Sequence, residues 1–67
     1  MAIQFTDREK AKEARREVTY RQFVYSKRVT DGKMTDVEAR RKIAIMTQIA
    51  EDYERWADKA EAAERLI

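Results

Sequence analysis

The residues best placed to do chemistry are four acids in one short stretch, Glu51, Asp52, Glu54 and Asp58, and six bases around the chain's single glycine, Gly32. Those bases are Lys27, Arg28, Lys33, Arg40, Arg41 and Lys42. Clustered carboxylates can share a proton or hold a hard cation, and Glu51, Glu54 and Asp58 share one face of a helix. Carboxylate metal centres in helical bundles, however, use inward-pointing glutamates with histidine three residues on. This chain has no histidine, and its acids fall on a polar face. An ion-paired, solvated face is the better reading, with Glu51 to Arg55 and Glu61 to Arg65 in the favourable i, i+4 order. Cysteine is absent too, which removes thiol chemistry and Cys/His zinc sites. One glycine cannot build a phosphate-cradling loop. The expectation is a protein that is not an enzyme, with no catalytic residue, metal or cofactor.

The bases suit binding instead. Lysine and arginine neutralise nucleic-acid phosphates, and arginine also pairs bidentately with carboxylates on a protein. A net charge of only +2, no evident stacking platform, and long helices without the third helix of a DNA-reading fold favour a protein partner. Lys27, Arg28, Lys33, Arg40 and Arg41 are therefore the candidate partner-binding residues. Nucleic acid bound at the same tip is the alternative, and simple solubility, helped by a Glu38 to Lys42 pair, is the plainer explanation.

What positions these residues is a pair of helix starts. Thr6-Asp7-Arg8-Glu9 and Thr35-Asp36-Val37-Glu38 are capping boxes: the threonine hydroxyl accepts from the backbone N–H three residues on, and the glutamate reaches back. The spacing predicts helix 1 over about 7–30, a turn over 31–35 with Gly32 as the C′ residue, and helix 2 over about 36–65. Met34 before the cap and Ala39 form a weak hydrophobic staple. So short a turn makes the pair an antiparallel two-helix hairpin, all-α and a single domain over residues 1–67.

Apolar spacing then exceeds what one hairpin can bury. Ala11, Ala14, Val18, Tyr25 and Val29 make one face of helix 1, and Ala39, Ile43, Met46, Ala50, Tyr53, Ala57 and Ala60 make the facing stripe of helix 2. Tyr20, Phe23 and Val24 stand apart on helix 1, while Ile45, Ile49, Trp56, Ala63 and Ile67 form a second seam on helix 2. A chain of 67 residues buries only about 60% of its unfolded surface, and disulfide and zinc staples are missing, so oligomerisation remains. A homodimeric four-helix bundle is expected, with Tyr20, Phe23, Val24, Ile45, Ile49 and Trp56 at its interface. A heteromeric groove contact would leave the same pattern. Ile3 and Phe5 have two readings, a cap on the bundle end or a mobile start of the chain.

Nothing near the start resembles a secretory leader, since charged residues crowd positions 7–15, and the longest apolar run, Ile43 to Met46, is far short of a membrane span. A cytoplasmic protein with no membrane partner is expected. Charge is unevenly spread: residues 1–42 carry twelve bases and seven acids, and residues 43–67 three bases and six acids.

The segment from Val24 to Tyr53 resembles a family of small proteins encoded in bacteriophages and prophages, many near Mu-like early regions. Members carry an aromatic, then Val-x-x-Gly-Lys/Arg-Met/Leu-Thr/Ser at the bend, followed by Ala, Ile, Met, Ile and Asp-Tyr at helical spacings. The matching residues here are Tyr25, Val29, Gly32, Lys33, Met34, Thr35, Ala39, Ile43, Met46, Ile49, Asp52 and Tyr53. Relatives often place proline after the aromatic; Ser26 stands here, so a straighter first helix is expected. The chain is also similar to the phage-encoded anti-activators of quorum sensing, small helical proteins that inhibit host factors by binding them. The resemblance implies a phage early protein in the host cytoplasm that inhibits a host protein, such as a transcription regulator, by stoichiometric binding. A structural subunit of a larger assembly is a further alternative.

Overall fold

A computed structural model describes residues 3–66, so Met1, Ala2 and Ile67 lie outside the described residues. It contains two α-helices packed side by side, α1 (Asp7–Thr30) and α2 (Asp36–Arg65). The antiparallel hairpin forms with the boundaries that its caps predict. Thr6 is extended, its hydroxyl accepts from Glu9 N–H at 3.1 Å, and its own N–H donates to the Glu9 carboxylate at 3.4 Å. The second box is incomplete: Thr35 accepts from Glu38 N–H at 3.1 Å, and only this hydroxyl half forms.

At the other end of α1 the chain makes a Schellman turn. Lys33 N–H donates to Arg28 C=O at 2.9 Å and Gly32 N–H to Val29 C=O at 3.1 Å, which satisfies carbonyls that the helix end orphans. This turn requires a left-handed residue, and Gly32 supplies it with φ +74°. Nothing stands within 4 Å of where a Cβ would sit, so the cost of a side chain here is conformational alone. Gly32→Ala should destabilise the hairpin by about 1 kcal/mol, read as a lower urea midpoint with unchanged slope; an unchanged midpoint would contradict the turn. Helix α1 runs unbroken through Ser26, whose carbonyl accepts from the Thr30 hydroxyl at 3.1 Å.

The interface between the helices is lined by small side chains. Ala11, Ala14 and Val18 of α1 and Ala39, Ala50 and Ala57 of α2 are buried, with Ile43 and Met46 packed against them at partial exposure. Among the described residues no large side chain is fully buried. Alanine at successive contacts lets two helix axes approach closely, but each alanine contributes little apolar area. The remaining members of the predicted stripes, Tyr25, Val29 and Tyr53, are half-buried. Ala60 departs from expectation and is exposed: it lines an open groove with Phe5, Thr6, Asp7, Arg8, Ala57, Glu61 and Glu64 that α1 does not fill. Ile3 and Phe5 are themselves exposed, so they do not close this end.

Candidate functional site

Two parallel rods present two flanks, two outer faces and two ends, and each carries a different chemistry. On one flank α1 supplies arginines and α2 supplies acids. Arg15 donates to both Glu54 carboxylate oxygens at 2.8 Å, and Arg8 donates to Glu61 at 2.9 Å and also pairs with Asp58. The expected i, i+4 pairs are thus replaced. Glu61 engages Arg8 rather than Arg65, and Arg55 engages Asp52 in place of Glu51. At the bend it is Asp36 to Arg40, at 2.8 Å, that forms instead of Glu38 to Lys42. The Asp52–Arg55 and Asp36–Arg40 pairs stay within α2; for Glu61 the antiparallel neighbour offers a planar guanidinium that meets a carboxylate with two bonds. Of the acid cluster, Glu54 and Asp58 therefore tie the register of the two helices, and among the described residues no group of three or more acids is arranged to hold a metal.

Hydrogen bonding to Arg15 holds the Glu54 carboxyl below its ordinary value, against a smaller opposing desolvation, and Arg8 acts likewise on Glu61. A carboxyl depressed in the folded state contributes stability above its unfolded pKa and loses it as pH falls. The melting temperature should therefore fall between about pH 5 and about pH 3. In an Arg8→Gln/Arg15→Gln variant the dependence should flatten. Equal pH slopes for the two proteins would show that the pairs are not its source.

The opposite flank is apolar and aromatic. Counting 100° per residue places Lys42, Ile45, Ile49 and Trp56 along one side of the α2 core stripe, with Tyr53 at its edge. Tyr53 and Trp56 pack edge to face with ring centroids 5.1 Å apart, and the Lys10 ammonium lies 5.6 Å from the Tyr53 centroid. Arg21 crosses this flank, donating to Glu17 at 2.9 Å and to the Lys42 carbonyl at 3.2 Å. Ile45, Ile49 and Trp56 remain 47%, 39% and 47% exposed, while Val24 is half-buried beside them.

The six residues expected at one interface do not share one surface. Val24, Ile45, Ile49 and Trp56 belong to this flank and Tyr20 stands at its margin. Phe23, 78% exposed, lies on the outer face of α1 in an open groove with Thr19, Gln22, Ser26 and Lys27. Phe23 and Val24 are adjacent in sequence, but a single step turns the side chain by about 100°.

The bend carries the charge. Residues 18–49 hold seven bases and three acids, a net of +4, whereas residues 3–17 with 50–66 hold eight bases and ten acids, a net of −2. Charge therefore varies along the 53 Å long axis. Lys27, Arg28, Lys33, Arg40 and Arg41 all come to this end and all are exposed. Of the seven bases, only Arg21 and Arg40 form ion pairs among the described residues. Consecutive positions such as 40, 41 and 42 diverge by 100° steps, so the cations surround a convex end rather than line one face. Among the described residues no helix is long and apolar enough to cross a membrane. Compared with known proteins, the chain matches no family model, no curated protein and no solved structure.

Proposed function

We propose that this protein is a non-catalytic binding module: a homodimeric helical hairpin of phage type that inhibits a host protein by stoichiometric contact through its basic end. The observation that carries this reading is the convex bend of net charge +4, in which Lys27, Arg28, Lys33, Arg41 and Lys42 have no ion-pair partner among the described residues. A convex cationic end fits an acidic concavity on a protein, where arginine forms paired hydrogen bonds with carboxylates. The family resemblance at the bend adds the host-directed role. The apolar flank supplies the dimer contact, since so much contiguous apolar surface on a monomer is unusual. Affinity capture from bacterial lysate, comparing wild type with Arg28→Glu/Arg41→Glu, tests the proposal. One host protein retained by the wild type and lost by the variant is expected, and equal retention by both would remove the basic end from the interaction.

A second reading, a small nucleic-acid-associated regulator, has one specific observation behind it. Arg16, Tyr20, Phe23 and Lys27 follow a four-three-four spacing along the outer face of α1, and Tyr20 and Phe23 are 60% and 78% exposed. Exposed aromatics between cations can stack on bases while the cations contact phosphates. Single-stranded oligonucleotide binding that weakens with salt and with Phe23→Ala would favour it, and no retention at low salt would remove it.

A further inference from the structure

The apolar flank has an internal symmetry that specifies how two copies meet. Along α2 the flank residues run Lys42, Ile45, Ile49, Tyr53, Trp56, at intervals of three, four, four and three. The row reads the same in both directions about Ile49, which lies near the midpoint of α2 (Asp36–Arg65). We infer that a second copy of this chain docks on this flank in antiparallel orientation, α2 against α2 with Ile49 on the two-fold axis, so that the two basic bends point to opposite ends. The inference rests on the homodimer proposed above and adds its geometry.

Two face-to-face two-fold arrangements are open to a flat hairpin. An axis across the long direction keeps each helix over its own copy and reverses it, whereas an axis along the long direction sets α1 over the partner's α2 with both bends together. In the first, Ile49 meets the partner's Ile49, Ile45 meets the partner's Tyr53, and Lys42 reaches the partner's Trp56, whose ring face attracts a cation. In the second, the cross-helix register governs what Ile45 and Ile49 meet. Arg15 pairs with Glu54 and Arg21 reaches Lys42, which puts Arg21 and Glu17 at the heights of Ile45 and Ile49. Apolar side chains would then cover charged ones, which must lose water on burial.

Charge selects the same arrangement. The parallel form brings two bends of +4 side by side and two open ends of −2 side by side. The antiparallel form sets each bend beside an open end, an attraction in place of two repulsions. Palindromic spacing, isoleucines set against apolar rather than charged side chains, and charge thus agree on one orientation.

The chain has no cysteine, so one can be introduced without interference. Thr30→Cys, exposed at the bend, carries a spin label about thirteen residues in height from Ile49. At about 1.5 Å per residue the two labels of an antiparallel dimer lie about 40 Å apart, against about 20 Å in a parallel one. The same protein in sedimentation reports its mass. A dimer with the long distance is the expected result. A dimer with the short distance overturns the orientation and leaves the homodimer standing, whereas a single-chain mass at micromolar concentration overturns the homodimer and the orientation together.

Discussion

Ala50→Leu should cost about 2–3 kcal/mol of folding stability, a large part of the roughly 3–10 kcal/mol that a chain of this length can have. Ala50 has no exposed surface and sits with Ala14 and Val18 in the core between the two helices. Three further carbon atoms cannot enter that contact without parting the helices, and parting them stretches the paired arginines and acids on one flank and the Arg21 to Lys42 carbonyl bond on the other. Ala62→Leu adds the same atoms at an exposed position and should leave stability within about 0.5 kcal/mol. Urea titrations of both variants at one protein concentration make the comparison, because dimerisation would otherwise shift the midpoint. Equal midpoints would mean that the alanine contact is not the tight one.

Ile49→Lys should have the next largest effect, and on a different observable. Fully burying an isoleucine contributes about 1.5–3 kcal/mol; Ile49 is 39% exposed in the hairpin, so docking gains about two-fifths of that, and a two-fold axis doubles the loss. A dimer closed at Ile49 should therefore dissociate with a constant raised about tenfold to a hundredfold, while the separated hairpins stay largely helical. Sedimentation across a concentration series measures the first and circular dichroism the second. Lysine on the outer face, as in Phe23→Lys, should leave the mass unchanged. If Phe23→Lys dissociates the dimer and Ile49→Lys does not, the contact is on the outer face of α1.

Much of this architecture is legible in the chain. Thr6, Thr35 and Gly32 place both helix starts and the bend because caps are local: each depends on residues no more than five apart. The core face is readable for a similar reason, since Ala11, Ala14, Val18, Ala39, Ala50 and Ala57 obey one period. What escaped depends on the neighbouring helix. Arg8 and Arg15 take Glu61, Asp58 and Glu54 because the antiparallel partner lies as near as the next turn, and one-helix spacing cannot express that. Ala60 lacks its expected cover because the groove between the helix ends stays open beside it. Phe23 was grouped with Val24 by hydrophobicity, although the helix turns them onto different surfaces. The basic residues gathered at the bend as their sequence positions require, yet their distribution around the end follows only from the 100° step.

The cross-helix contacts also order the molecule in time. Arg21 reaches the Lys42 carbonyl across 21 positions, Arg15 reaches Glu54 across 39, and Arg8 reaches Asp58 and Glu61 across 50 and 53. Closing a loop costs more entropy as it lengthens, so contacts beside the bend close first and the rest follow as a zipper toward the open end. Opening runs in reverse: amides near Arg8 and Glu61 should exchange with solvent by local fraying, while those beside Val18 and Ala50 await larger openings. Arg8, with two acids, is thus the last clasp to fasten and the first to be tested.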